Sequence, residues 1–174
     1  MNFTNRLMKD FAIDADRRVS GICRIMMVLM AFVIFLNHMK VFKITNEIYP
    51  TLVIAIIILF FPTILYDFLK LEKKWTRYFL LTLLVFMAGL LYTILSYHVV
   101  IMLVFPVVVS CLYCDKACVI YTYALSVPII VISHLLAFEL KVVPDEPLVT
   151  LFGVLVYGVV PRVIEFFAIT IVCV

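Results

Sequence analysis

The sequence predicts an all-α fold: a polytopic membrane helical bundle of about six transmembrane helices, with both ends cytoplasmic. Three observations carry that prediction. Hydrophobic residues make up 67% of the chain and charged residues 14%, and the mean hydropathy is +1.24. Soluble domains run near half apolar and a quarter charged, and a chain of 174 residues has too large a surface-to-volume ratio to hide the excess from water. Several runs reach the roughly 18–20 apolar residues that a bilayer core requires. When successive spans alternate in direction, lysine and arginine gather on one side.

The chain divides into a tail, residues 1–20, and a bundle, residues 21–174. In the tail Phe3, Leu7 and Phe11 recur at helical spacing with Arg6, Lys9, Asp10 and Asp14 between them. That pattern suits an amphipathic helix lying in the headgroup region. Asp14, Asp16, Arg17 and Arg18 form a charged collar. The first span is expected over Gly21 to His38, with Arg24 snorkelling to the near interface.

Pro50 opens the second span, Thr51 to Phe68, which contains Pro62. The charged segment Asp67 to Arg77 follows, with Trp75 at headgroup level. The third span covers Tyr78 to Ser96. A break is required near Tyr97-His98, because the run to Tyr113 is too long for one crossing. The fourth span, Val99 to Leu112, contains Pro106, and Cys114-Asp115-Lys116 makes a tight loop. The fifth runs from Cys118 to Phe138 around Pro128, and Glu139 to Pro147 forms a loop.

The last segment, Leu148 to Val174, is too long for one untilted helix. Either it kinks at Gly158 and Pro161, or a short outer segment ends near Val160 and the span proper begins at Pro161. Proline suits a first helical turn, which favours the second arrangement. The segment ends in an apolar run without the polar or basic flank that usually marks a membrane exit, so the last helix is expected to continue past Val174.

Alternation places Arg6, Lys9, Arg17, Arg18, Lys70, Lys73, Lys74, Arg77 and Lys116 on one side, and Lys40, Lys43 and Lys141 on the other. The richer side is the cytoplasm, making this a multi-pass protein of a bacterial cytoplasmic membrane with the lipid bilayer as its first partner. A formal net charge of +3 is too small to imply nucleic acid.

Several constellations invite a functional reading. Arg162 and Glu165 lie three apart, on one helix face. They suit a switchable or anion-sensing pair, or a local salt bridge at the outer interface. His38, His98 and His134 fall at the outer level of the alternating topology with Glu47, Glu139, Asp145 and Glu146, a set that could bind a metal or an unknown small ligand or sense pH, or simply suit the interface. Cys111, Cys114 and Cys118 bracket the inner turn, where a CxxC spacing suggests redox or metal chemistry and burial suggests small apolar packing. None of the five cysteines lies in an expected outer loop, so no disulfide framework is expected. Pro62, Pro106, Pro128 and Pro161 interrupt four spans, as in helices that line cavities. The sequence contains no HExxH, no GxSxG and no phosphate loop. No catalytic residue, metal ligand or cofactor is assigned, and no enzyme activity is expected within the chain.

A basic amphipathic tail, six spans, a lysine-rich second inner loop and a last span opening with Tyr157-Gly158-Val159-Val160-Pro161-Arg162 form a recurring layout. It resembles the N-terminal membrane input regions of Firmicute signalling proteins. The resemblance implies a sensor region, working as a homodimer, whose last helix continues into a cytoplasmic output such as a diguanylate cyclase, HD-type phosphodiesterase, PP2C-type phosphatase or histidine kinase. The alternative is a small substrate-binding membrane subunit, similar to the S-components of vitamin transporters. With only 4 glycines, the chain looks poor in the small residues that close helix packing around a vitamin favours.

Overall fold

The structure, a computed structural model, describes residues 3–40, 48–65, 74–95, 100–140 and 150–174. These residues are overwhelmingly helical, and none of them lies in a strand. The order is α1 (Phe3–His38), α2 (Ile48–Thr63), α3 (Lys74–Leu95), α4 (Val100–Cys111), α5 (Lys116–Glu139), α6 (Leu151–Gly153), a π-helical segment (Val154–Val159) and α7 (Val160–Cys173). Among the described residues four stretches are long and apolar enough to cross a membrane: Ile13–His38, Trp75–Thr93, Lys116–Glu139 and Leu151–Cys173. The apolar parts of α2 and α4, Tyr49–Thr63 and Met102–Cys111, are shorter.

The tail is not separate from the first span. α1 is one helix of 36 residues, about 54 Å long at 1.5 Å per residue. The charged collar continues the helix because nothing in it breaks the backbone. Arg18 donates from Nε to Asp14 at 2.9 Å, an i,i+4 ion pair on the exposed side. On the other side Ala15, Val19 and Cys23 form an apolar seam at four-residue spacing, and Asp16 and Ser20 are buried beside it. α1 packs on α2, and α2 packs on α3.

α3 is the centre of the bundle, in contact with α2, α4 and α5. It is also the most buried of the four long apolar stretches. Its partner α5 turns a seam of small and polar residues inward: Cys118, Thr122, Ser126, Ile130, Ser133 and Ala137. Two hydroxyls in this seam are satisfied within the helix. Thr122 donates to the Cys118 carbonyl and Ser126 to the Thr122 carbonyl, each at 2.8 Å. Such back-bonding lets polar side chains enter an apolar bundle without an orphaned donor. Serine, threonine, cysteine and alanine thus supply the close packing that so few glycines cannot.

Side-chain contacts fix the relative direction of the helices. Tyr78 and Thr82 of α3 meet Tyr121 of α5, and Tyr92 meets His134 further along both helices. Residue numbers rise together, so α3 and α5 are parallel. Tyr123 meets Phe167 while Arg162 lies within electrostatic reach of His134, so α7 runs antiparallel to α5. Cys111 and Cys173 bring the ends of α4 and α7 together. At that same end Arg77 and Asp115 form an ion pair at 3.7 Å, and the Arg77 guanidinium sits 5.7 Å from the centre of the Tyr113 ring. Asp115 also caps α5, accepting the Ala117 N–H at 3.0 Å.

The last segment is one helical run, as in the first arrangement, and Pro161 stands in the first turn of α7, as in the second. Leu151–Cys173 is one helical run of 23 residues, and Pro161 interrupts nothing. A proline ring inside an α-helix collides with the carbonyl four residues back. The turn before Pro161 is widened instead: the Val160 N–H reaches back five residues to the Leu155 carbonyl. Thr150 caps the start, its hydroxyl accepting the Gly153 N–H at 3.1 Å.

Candidate functional site

His134 lies in α5, one turn before its end, and is buried at 2% exposure. Its Nδ1 is 2.8 Å from the Ile130 carbonyl. A carbonyl only accepts, so Nδ1 carries the proton and Nε2 presents a lone pair. The Tyr92 hydroxyl, 2.7 Å away, donates to it. The two rings also stack obliquely, 4.4 Å between centroids. Both polar tips are therefore satisfied inside an apolar cluster of Ala88, Leu103, Val107, Ile130, Val159 and Phe166, as burial requires.

Gly89 lets these helices approach. A Cβ at Gly89 would run into the Ile129 side chain and stand 2.9 Å from the Ser133 hydroxyl. The Ile129 side chain of α5 lies over the bare backbone of Gly89, and the Tyr92–His134 bond forms one turn further on. The last helix closes the site, with Val159 of the π segment and Phe166 of α7 buried in the same cluster. Any displacement of the π segment is therefore felt by the packing around Tyr92 and His134.

Arg162 and Glu165 form a bifurcated pair, with Arg162 donating from Nη1 alone to both carboxylate oxygens, 2.9 Å to Oε1 and 2.8 Å to Oε2. Both partners belong to α7, and the Arg162 side chain is the less exposed of the two. His38 ends α1 and is exposed, as is Glu139 at the end of α5. His98 lies outside the described residues. Of the six candidate residues, His134, Arg162 and Glu165 share the α5–α7 neighbourhood, while His38 sits on the helix that packs against α2. Among the described residues no group of three His, Cys, Asp or Glu is placed to hold a metal ion.

Two partners escaped the sequence reading. Tyr92 is one of 9 tyrosines, and its pairing with a histidine 42 positions later has no local signature. The other is the Cys111–Cys173 disulfide, with Cα atoms 5.9 Å apart and 62 residues between them in sequence. It corrects the expectation of no disulfide, which rested on compartment alone and could not anticipate that two helix ends converge. Cys23 and Cys118 are buried free thiols, and Cys114 is an exposed one. No known protein family, curated protein or solved structure matches the chain.

Proposed function

We propose that this chain is a membrane-embedded signal-input module in which the last helix carries a change at the outer end of the bundle to the cytoplasmic end. The single observation behind the proposal is the π segment Val154–Val159, which packs its Val159 against the Tyr92–His134 cluster and runs without a break into α7. A π turn holds an extra residue, so resolving it into α-helix turns everything beyond it by about 100°. Arg162 and Glu165 lie in the first turn and a half of the part that would turn. The stimulus is a small ligand or ion taken up near Glu139 and Arg162 at the outer end, which His134 feels through the packing around it. It acts by binding one arrangement of the last helix better than the other.

In this reading α1 to α5 and the run Leu151–Cys173 make six crossings of the bilayer, the end bearing Arg77 and Lys116 is cytoplasmic by its excess of cations, and two copies pair. The chain itself performs no catalysis, and an enzymatic output belongs to a cytoplasmic domain beyond Val174. The parallel α3 and α5 and the antiparallel α7 support the alternation that six crossings require.

The test joins the chain through Val174 to a dimer-dependent transcriptional reporter and challenges cells with changes in external pH, zinc ion and small anionic metabolites. A reporter response to one of these, lost in Arg162→Gln, is expected. Uptake of a metabolite by cells expressing the chain, with a reporter indifferent to every challenge, would contradict the proposal and favour a transport subunit.

A further inference from the structure

Cys111-Leu112-Tyr113-Cys114 is a CxxC sequence whose first cysteine already has a different partner, Cys173 at the end of the last helix. The turn after α4 folds Cys114 back: its N–H donates to the Cys111 carbonyl at 3.1 Å. A turn of that span holds its end Cα atoms within about 7 Å, and disulfides join Cα atoms about 4.4–6.8 Å apart. Cys173, with its Cα 5.9 Å from that of Cys111, lies in the same range. Cys111 therefore stands between two partners, one local and one on α7. Of the free cysteines among the described residues, Cys114 is exposed while Cys23 and Cys118 are buried at 0% exposure. Of these three, Cys114 alone presents its thiol at the surface.

We propose that Cys111, Cys114 and Cys173 form a thiol–disulfide exchange site in which Cys111 trades partners and so fastens or frees the end of the last helix. In the forward step the Cys114 thiol gives its proton to water, and its thiolate attacks Sγ of Cys111. The Cys111–Cys114 bond forms as the Cys111–Cys173 bond breaks, and Cys173 leaves as a thiolate that takes up a proton. One disulfide and one thiol stand on each side, so no oxidant or reductant is consumed. In the first state Cys173, the last helical residue of α7, is tied covalently to α4. In the second, α7 is held by its packing, with Phe166 and Thr170 buried. The chemistry stands on the three cysteines alone, and its consequence for signalling rests on the function proposed above.

The experiment uses the full chain in native membranes, equilibrated in glutathione buffers from oxidising to reducing. Samples are quenched with acid, blocked with N-ethylmaleimide and mapped by peptide mass spectrometry. The wild type is expected to contain both Cys111–Cys173 and Cys111–Cys114 linkages, with Cys118 alkylated only after denaturation. Cys114→Ser should lose the second linkage and keep the first, and Cys173→Ser should show the converse. A wild type that shows one linkage or neither in every buffer overturns the proposal, as does a Cys173→Ser chain without the Cys111–Cys114 bond. This readout needs no output domain, so a silent reporter fusion and a failed linkage map are separate results.

Discussion

A neutral imidazole bonded at both nitrogens has no lone pair left for a metal or a ligand, and His134 is in that state. The residue acts through Tyr92 and the packing around it. Tyr92→Phe leaves Nε2 without its donor, and His134→Phe leaves the tyrosine hydroxyl without its acceptor. Hydrogen bonds between membrane helices couple their partners by about 0.6 kcal/mol, up to about 1.7. A double-mutant cycle on unfolding in bicelles should give a coupling in that range, and strictly additive losses would show that the bond contributes nothing. Two glycines should respond oppositely to alanine. Gly89→Ala forces α3 from α5 and should cost about 1–3 kcal/mol, with partial rescue by Ile129→Leu, which removes the branched methyl. Gly21 has nothing within 4 Å of an added Cβ, so Gly21→Ala should gain about 0.5–1 kcal/mol. Equal effects at the two sites would refute the close crossing at Gly89. The Arg162–Glu165 pair was legible from its spacing; the reach of one guanidinium nitrogen to both carboxylate oxygens needed the coordinates. Glu165→Gln should lower the yield of folded protein, and adding Arg162→Gln should restore part of it.

At the scale of the element, what could be read early was whatever a helix writes into its own sequence. The apolar lengths marked the long helices, Pro50 a helix start and Asp115 the turn before α5. What could not be read was decided between helices. The tail was expected to lie apart, yet α1 runs unbroken because its seam of Ala15, Val19 and Cys23 finds burial in the bundle. Pro161 looked like a helix start. It stands in the first turn of α7, and the helical run continues through it because the preceding turn is widened around its ring. The Tyr92–His134 bond and the Cys111–Cys173 bond join positions far apart in sequence. Hydropathy is blind to such pairings. Within the candidate site, then, Arg162, Glu165 and His134 were visible, and the residue that holds His134 was not.

For the whole molecule, the contacts at Tyr78–Tyr121, Tyr92–His134 and Tyr123–Phe167 set the helix directions and gather Arg77, Asp115, Cys111 and Cys173 at one end. In a cysteine-free background, an impermeant maleimide applied to intact cells should label Leu140→Cys and spare Lys116→Cys. The reverse pattern would invert the proposed orientation and every site placed by it. The central claim is that the last helix turns as a unit when its π segment changes. To test it, one to four alanines are inserted between Val174 and a rigid helical linker to a dimer-dependent reporter, with and without deletion of Tyr157 from the π segment. The account predicts reporter output that oscillates with a period of about 3.6 residues, and, when Tyr157 is removed, an unchanged phase with the response to stimulus lost, because deleting the extra residue leaves an α-helix with no wide turn to resolve. A curve displaced by one insertion in the deletion, or output indifferent to the insertions, would contradict it.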